Sequence, residues 1–460
     1  MDNRAILDLL QVKNQDHIIH HVDRLPPNKK SKFFQNCNDL DLDLVFRLHN
    51  DCCASKTTLS LRGNIKVPRI VSLPVRENEK KSHYESKLVG ESLISNGKVA
   101  VLIVAGGQGV RLGHNRPKGT FPVSPIMKKT LFQLLSEQVR ALSFRYTAKI
   151  PLLIMTSVEN HDDTVLFFDT HNFFGLDQNS VYFFQQGMLP TITPEGKLLL
   201  KDETSLFVNP DGHGGSLSAL NKSGLLDMLM EQGFSELFYC QIDNPLVRIA
   251  DPVFLGYHSQ ANSQCSTKVV RRQRIDEKVG VYVSLDGKDA ILEYSDFGGK
   301  HMEALDDNGE ILYWAGNTAI HIMNLSFVKT LNTHGFALPY HCANKNVEIL
   351  DSKGTRKNVD AWKFETFVFD AIPFAERTCC MEVDRSEEFS PVKNKSGPDS
   401  PSTAHESMVK LHKRWLHDAG IIVPHERLVE ISPLFSLDRE ELISKLKGTN
   451  MQVESDLYLA

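Results

Sequence analysis

The chain has 460 residues, 41% of them apolar and 24% charged, with a formal net charge of -5. That length can bury a large core divided among two or three domains, and the charge gives no general attraction to nucleic acid or an anionic membrane. No apolar run approaches the roughly 18 residues of a membrane span. The opening MDNRAILDLLQ lacks the basic start and apolar centre of a secretory signal. The expectation is a cytoplasmic protein without nucleic-acid or membrane partners, a monomer or homodimer. Cys37, Cys52, Cys53, Cys240, Cys265, Cys342, Cys379 and Cys380 include no C-x-x-C pair, so they read as free thiols rather than a zinc site or a disulfide frame.

Residues 1–97 read as a helical domain. Ile6, Leu9 and Leu10, then Leu40, Leu42, Val45, Phe46 and Leu48, recur at helical spacing, and Pro26–Pro27 interrupts the first pattern. The charge-dense tract Arg76–Lys87 reads as a solvated connector. From Lys98 apolar runs alternate with helical patterns: Val99–Ala105, a helix over about Thr130–Leu142, then Pro151–Met155, Val181–Phe184, Leu237–Ile242, Thr267–Val270, Val279–Val283 and Thr318–Ile322. This alternation predicts βαβ units in an α/β domain over 98–392, its sheet mostly parallel with helices on both faces. Lys393–His405 is polar and reads as a loop, followed by a helix from about Ser407 to Ala419 and a small C-terminal module, 393–460.

The most informative stretch is Val99–Lys118, VAVLIVAGGQGVRLGHNRPK. A buried strand runs into Gly106, Gly107, Gly109 and Gly113, with Arg111, Arg116 and Lys118 in or after the turn. No Asp or Glu occurs from Ser92 to Ser136, while Lys98, Lys128 and Lys129 add further cations. Glycines let backbone N–H groups approach a phosphate, arginine can bridge two phosphate oxygens, and lysine acts as a movable point charge. A Walker loop is excluded because no Gly-Lys-Ser/Thr occurs. A dinucleotide fingerprint is excluded because Gly107, Gly109 and Gly113 give G-x-G-x-x-x-G, with no suitable acid about 20 residues on. Asp243 follows the apolar run Leu237–Ile242, where a carboxylate at a strand end suits Mg2+ bridging phosphates. No nucleophile elbow is present.

GGxGxRLG followed by PK resembles the nucleotidyltransferases that join a nucleoside triphosphate to a sugar 1-phosphate. The likeness continues in order through KTLFQLLSEQV (Lys129–Val139), FFQQGMLP (Phe183–Pro190), NPDGHGG (Asn209–Gly215), YCQIDNPLVRIADP (Tyr239–Pro252), LEYSD (Leu292–Asp296), GNTAIHI (Gly316–Ile322), LPYHCANK (Leu338–Lys345), FETFVFDAIPFA (Phe364–Ala375) and EEFSPVKN (Glu387–Asn394). Over roughly residues 98–425 the chain resembles the eukaryotic-type UDP-N-acetylhexosamine pyrophosphorylases of the UDPGP-type uridylyltransferase family.

The resemblance implies a Rossmann-like nucleotide-diphospho-sugar transferase fold with a central mixed sheet, a helical N-terminal layer and a small C-terminal module. It implies UTP and a hexosamine 1-phosphate as substrates and Mg2+ as cofactor. Arg111, Lys118 and Lys393 would serve the phosphates, with Asp243 on the metal. Gly106, Gly107, Gln186 and Gly212 would hold the nucleotide, and His213, Gly280, Glu293 and Asn317 the sugar. Phe367 and Phe369 would wall the sugar pocket or pack in the core.

The sequence departs from the family at two positions. His213 stands where the acetylhexosamine enzymes carry Asn and is more like the UDP-glucose enzymes. Val110 stands where the family usually has Thr. Glucose 1-phosphate, or a broad range of sugar 1-phosphates, is therefore the alternative substrate. A non-catalytic UDP-sugar-binding protein is the alternative of another class. The intact Arg111, Lys118, Asp243 and Lys393 count against it, because a sensor does not need the phosphate and metal groups.

Overall fold

The computed structural model describes residues 2–38, 40–54, 63–350, 355–449 and 451–460. The chain forms two compact units. One comprises Gly63–Gln185, Leu220–Gly335 and Ala371–Ala460; the other comprises Met1–Arg62, Gln186–Ala219 and Phe336–Asp370. Among the described residues no helix is long and apolar enough to cross a membrane.

The larger unit is built on a 10-stranded mixed sheet. In chain order its strands are β1 (Ile65–Lys66), β2 (Val99–Val104), β3 (Leu152–Thr156), β4 (Val181–Gln185), β5 (Glu236–Gln241), β6 (Cys265–Arg271), β7 (Val281–Leu285), β8 (Lys288–Leu292), β9 (Ala315–Asn324) and β10 (Thr378–Glu382). The strands β5, β2, β3 and β4 lie side by side and parallel. Their continuous apolar sequences reflect burial on both faces: the VAVLIV run of β2 and the LLIMT run of β3 are almost wholly buried. Beyond β5 the sheet turns antiparallel, because β9 runs against β5, β6 and β7. The chain builds β2, β3 and β4 in one direction and then returns to place β5 on the other side of β2. The carboxyl ends of β2 and β5 therefore flank the topological switch point, where open α/β sheets bind their ligands.

The tract Arg76–Lys87 is not a solvated connector. It is the start of a helix, Glu77–Ser95. Glu79 accepts the N–H groups of Val75 and Arg76 at 2.9 Å each, closing the helix start. The charges occupy one face and small residues the other. A Cβ on Gly90 would lie 1.8 Å from the Pro252 carbonyl, and one on Gly256 would lie 1.8 Å from that of Ser86. Only glycine lets this helix and Pro252–Gln260 approach so closely. The polar loop after Lys393 is shorter than expected: Ser400 caps a helix that starts at Pro401 and runs to Asp418. The C-terminal segments share the large core, where Met408, Leu411, Trp415, Val429, Ile431 and Leu459 join Val99, Val101 and Ile103 of β2.

In the smaller unit, helices Asn3–Val12, Asp16–Asp23, Pro27–Asn38 and Leu42–Ala54 bury Ile6, Leu10, Ile18, Phe33 and Val45 against Leu189, Leu198, Leu200 and Phe364. Buried Gln15 donates to the Gly196 carbonyl and accepts the Leu198 N–H, both at 2.9 Å. A long hairpin, His341–Leu350 with Arg356–Glu365, completes a 4-stranded sheet with Leu200–Asp202 and Ser205–Leu206. The N-terminal helices thus share a core with segments distant in sequence, and the compact units cross the linear boundaries at 97 and 392.

The helix Pro401–Asp418 places His412 beside the strand Val429–Ile431, where its Nδ1 accepts the Ile431 N–H at 3.3 Å. Burial lowers the His412 pKa to about 4, against about 6.5 in the unfolded chain. A group neutral in the fold and protonated when unfolded removes stability as pH falls through that interval. From about pH 6.5 to about 4.5 the expected loss from His412 is on the order of 2 kcal/mol. Urea midpoints of the wild type should fall more steeply over this range than those of His412→Gln. Parallel pH profiles would contradict this.

Candidate active site

The turn after β2 is tightly constructed. Gly109 N–H donates to the Arg116 carbonyl (2.9 Å) and Lys118 N–H to that of Gly107 (3.1 Å). A Cβ on Gly109 would lie 2.7 Å from the His114 carbonyl. The Thr120 hydroxyl donates to the Pro117 carbonyl (2.8 Å), so His114 Nε2–H donates to that hydroxyl (2.7 Å). Burial first, and Arg116 second, lower the His114 pKa. From the side, fully buried Asn160 donates to the Ala105 carbonyl (2.9 Å) and the Gly107 carbonyl (3.3 Å) and accepts the Ser157 N–H (2.8 Å). The N–H groups of Gly106 and Gly107 make no backbone hydrogen bond among the described residues. Such N–H groups at the end of a buried parallel strand are suited to an anion.

Lys118 and Asp243 meet at this edge, Nζ to Oδ2 3.3 Å, both largely shielded from solvent. Lys118 follows β2 and Asp243 follows β5, so the pair spans the switch point. The Asp243 carbonyl accepts the Val392 N–H at 2.8 Å, which brings the segment carrying Lys393 to the same edge. A Cβ on Gly113 would lie 3.7 Å from the Lys395 side chain, so this segment also approaches the glycine turn. Arg111 lies in a short 3-10 turn, Val110–Leu112, and is exposed, as is Lys393. Of the remaining cations near the loop, three are otherwise engaged. Lys98 bonds the Gly233 carbonyl, Lys128 that of Pro125, and buried Lys129 bonds Glu137 at 2.6 Å and Ser432 at 3.2 Å. The acid-free stretch therefore overstates the charge available to a ligand, because three of its cations bond to the protein itself.

Gly280, Glu293 and Asn317 come together in the same unit. The pairing of Val281 with Leu292 sets Gly280 opposite Glu293, and Asn317 N–H donates to the Gly280 carbonyl at 2.8 Å. A Cβ on Gly280 would reach within 3.1 Å of Glu293 Oε1. Asn317 sits at a bulge between β6 and β9, and its Oδ1 accepts the N–H of Ala319, whose φ is +57°. A bulge with a left-handed alanine is strained, and it redirects the side chains around it. Because β9 opposes β5, its Asn317 end lies at the edge where β5 delivers Asp243.

Gln186, Gly212 and His213 belong to the smaller unit. Gly212 has φ +86°, and a Cβ there would lie 2.3 Å from the Thr366 carbonyl. His213 Nδ1 accepts the Val368 N–H at 3.2 Å. Its ring stacks on Phe367, centroids 5.4 Å apart, and tilts against Phe369 at 5.8 Å. Phe367 is stacked in turn by His341 at 4.5 Å, whose Nε2 meets Asp370 at 2.7 Å. Phe367, half-buried, packs with His213, while Phe369 is buried. The run carrying them becomes a 3-10 turn, Val368–Phe374.

Residues 55–455 match the sequence pattern of the UTP–glucose-1-phosphate uridylyltransferase family. The chain belongs to this family. It is 33% identical over 456 residues to the UDP-N-acetylglucosamine pyrophosphorylase of Saccharomyces cerevisiae, covering 95% of this chain and 93% of that one. It is 32% identical over 480 residues to UDP-N-acetylglucosamine diphosphorylase 2 of Arabidopsis thaliana, covering 99% and 94%. Its fold matches the crystal structure of the uridine diphosphate N-acetylglucosamine pyrophosphorylase from Trypanosoma brucei with a TM-score of 0.86 at 25% identity, covering 100% and 98%.

Among the described residues of this uridylyltransferase family member, no group of three or more His, Cys, Asp or Glu side chains is arranged to hold a metal. Mg2+ commonly keeps several waters and takes one or two carboxylates together with substrate phosphates. The single Asp243 carboxylate beside a phosphate-type turn fits an ion that arrives with a nucleotide. Sequence reading missed Asn160, whose Ser-Val-Glu-Asn context resembles any helix start. Asn160→Ala should cost about 1–3 kcal/mol by leaving the Ser157 N–H buried and unpaired. Chemical denaturation measures this, and a variant as stable as the wild type would contradict it.

Proposed function

We propose that the protein is a UTP:N-acetyl-α-D-glucosamine-1-phosphate uridylyltransferase. The observation that carries this reading is the Lys118–Asp243 pair at the switch point, on the same sheet edge as the Gly280–Glu293–Asn317 group. The family supplies the reaction class, and the relatives named for UDP-N-acetylglucosamine support the sugar.

The sugar-phosphate oxygen is already anionic and needs no general base. It forms a bond to the α-phosphorus of UTP as the bond from that phosphorus to the bridging oxygen breaks, and the electron pair leaves with pyrophosphate. The protein positions the reactants and neutralises charge. The Gly106 and Gly107 N–H groups and Arg111 receive the triphosphate. Lys118 turns from Asp243 to a phosphate oxygen, while Lys393 approaches from its own segment. Asp243 would hold Mg2+ brought by the nucleotide, an ion that supplies further neutralisation of phosphate charge. Glu293 accepts sugar hydroxyls, and Asn317 serves a hydroxyl or an amide. Gln186 and Gly212 take the uracil.

His213 favours a second reading, transfer to glucose 1-phosphate. Its Nδ1 is committed to Val368 N–H, so the neutral ring has only Nε2–H to donate, where an asparagine offers both a donor and an acceptor. UDP-sugar formation measured side by side with the two sugar phosphates should give the higher kcat/KM for N-acetylglucosamine 1-phosphate. A clear preference for glucose 1-phosphate would establish the second reading.

Lys118→Ala should slow single-turnover UDP-sugar formation by roughly 100-fold or more at saturating substrate, the loss typical of a transition-state charge contact. A change confined to the KM for sugar phosphate would contradict its assignment to the phosphates.

A further inference from the structure

The segment that carries Lys393 is pinned to the end of β5 by a residue outside the set assigned to ligands. Asn244, next to Asp243, is buried, and among the described residues its side chain bonds only to backbone. Its Nδ2 donates to the Glu388 carbonyl at 2.6 Å, and its Oδ1 accepts the N–H groups of Ser390 (3.1 Å) and Leu246 (3.3 Å). Two residues later, Val392 N–H donates to the Asp243 carbonyl at 2.8 Å. Glu388 is held from its other end as well, its carboxylate 2.5 Å from fully buried Lys268, which also bonds Asp251 at 2.6 Å. Glu388 through Val392 are buried, and Lys393 is the first exposed residue after them. The last hydrogen bond that ties this run to the end of β5 thus immediately precedes Lys393, whose own N–H donates to the Asp399 carbonyl at 2.7 Å.

We propose that Asn244 is a positioning residue that sets Lys393 relative to Asp243. This rests on the reading of Lys393 as a phosphate-directed lysine. A staple between two backbone segments has no chemistry of its own, so its effect on turnover must pass through the group it places. Lys268 anchors the same segment, but through the Glu388 side chain and to Asp251, farther along the chain from Asp243. Asn244, the immediate chain neighbour of Asp243, supplies the side-chain bonds that join this stretch to the backbone of the lysine's segment.

Two mutations that act through one group are not additive, and a double-mutant cycle reads that directly. The experiment compares single-turnover UDP-sugar formation in Asn244→Ala, Lys393→Ala and the double variant. Asn244→Ala alone should slow the reaction roughly 10-fold or more, and in the Lys393→Ala background it should cost about twofold or less. Equal factors in the two backgrounds would mean that Asn244 stabilises the fold generally, and would overturn the proposal. So would a single variant at the wild-type rate. Lys393→Ala at the wild-type rate would instead overturn the reading of Lys393, and the proposal with it. Asn244→Ser, which removes the amide that reaches Glu388 without adding a charge beside Asp243, supplies the same cycle if the alanine variant does not fold.

Discussion

A lysine and an aspartate that face each other across the ends of two parallel strands are the constraint on which the site depends. Neither Lys118 nor Asp243 is well solvated, and each shields the other's charge. Their separation of 3.3 Å follows from the 2–5 adjacency in the sheet, where Val104 and Gln241 are register partners at the strand ends. The pair is therefore placed by main-chain hydrogen bonding before any ligand arrives. A triphosphate offers oxygens to the lysine, and its counter-ion offers positive charge to the aspartate. The partners can separate without either charge being left alone.

The rest of the larger unit serves this edge. The Glu77–Ser95 and Pro252–Gln260 helices pack at glycine distance, and the C-terminal segments complete the core in which β2 lies. The bulge with left-handed Ala319, one of several non-glycine residues with positive φ, lies next to the Asn317 that joins Gly280 and Glu293. Sites held by strands and buried staples are more precise than sites carried on free loops. Here even the polar Lys393 segment emerges from a buried, hydrogen-bonded run. The smaller unit has its own device, a stack of His213, Phe367 and His341 set by the Val368 N–H and Asp370.

Much of this was legible in the sequence, for identifiable reasons. Continuous apolar runs announced β2, β3 and β5, because strands buried on both faces need no alternation. Thr130 marked the start of the helix Leu131–Tyr146, and the glycine turn marked the end of β2. What stayed hidden depends on contacts between distant residues. The small-residue face of Glu77–Ser95 was masked by its charges. The hairpin His341–Leu350 with Arg356–Glu365 is half exposed and polar, without a clear period. Lys98, Lys128 and Lys129 could not be told from ligand-directed cations until their partners were placed. Asn160 and Asn244 have no local signature, since an asparagine that bonds only to backbone looks the same in sequence as one on the surface. Gly280, Glu293 and Asn317 were named only through the family likeness. Their meeting at one point is a consequence of strand register.

On the proposed function, the Lys118–Asp243 pair opens to receive nucleotide phosphate and metal. Crystals grown with UTP and Mn2+, with anomalous data collected at the manganese edge, test it most directly. The expected result is a manganese peak in coordination contact with an Asp243 carboxylate oxygen and with phosphate oxygens, and Lys118 Nζ moved onto a phosphate. A nucleotide bound with the Lys118–Asp243 contact unchanged, or a manganese peak away from Asp243, would contradict it.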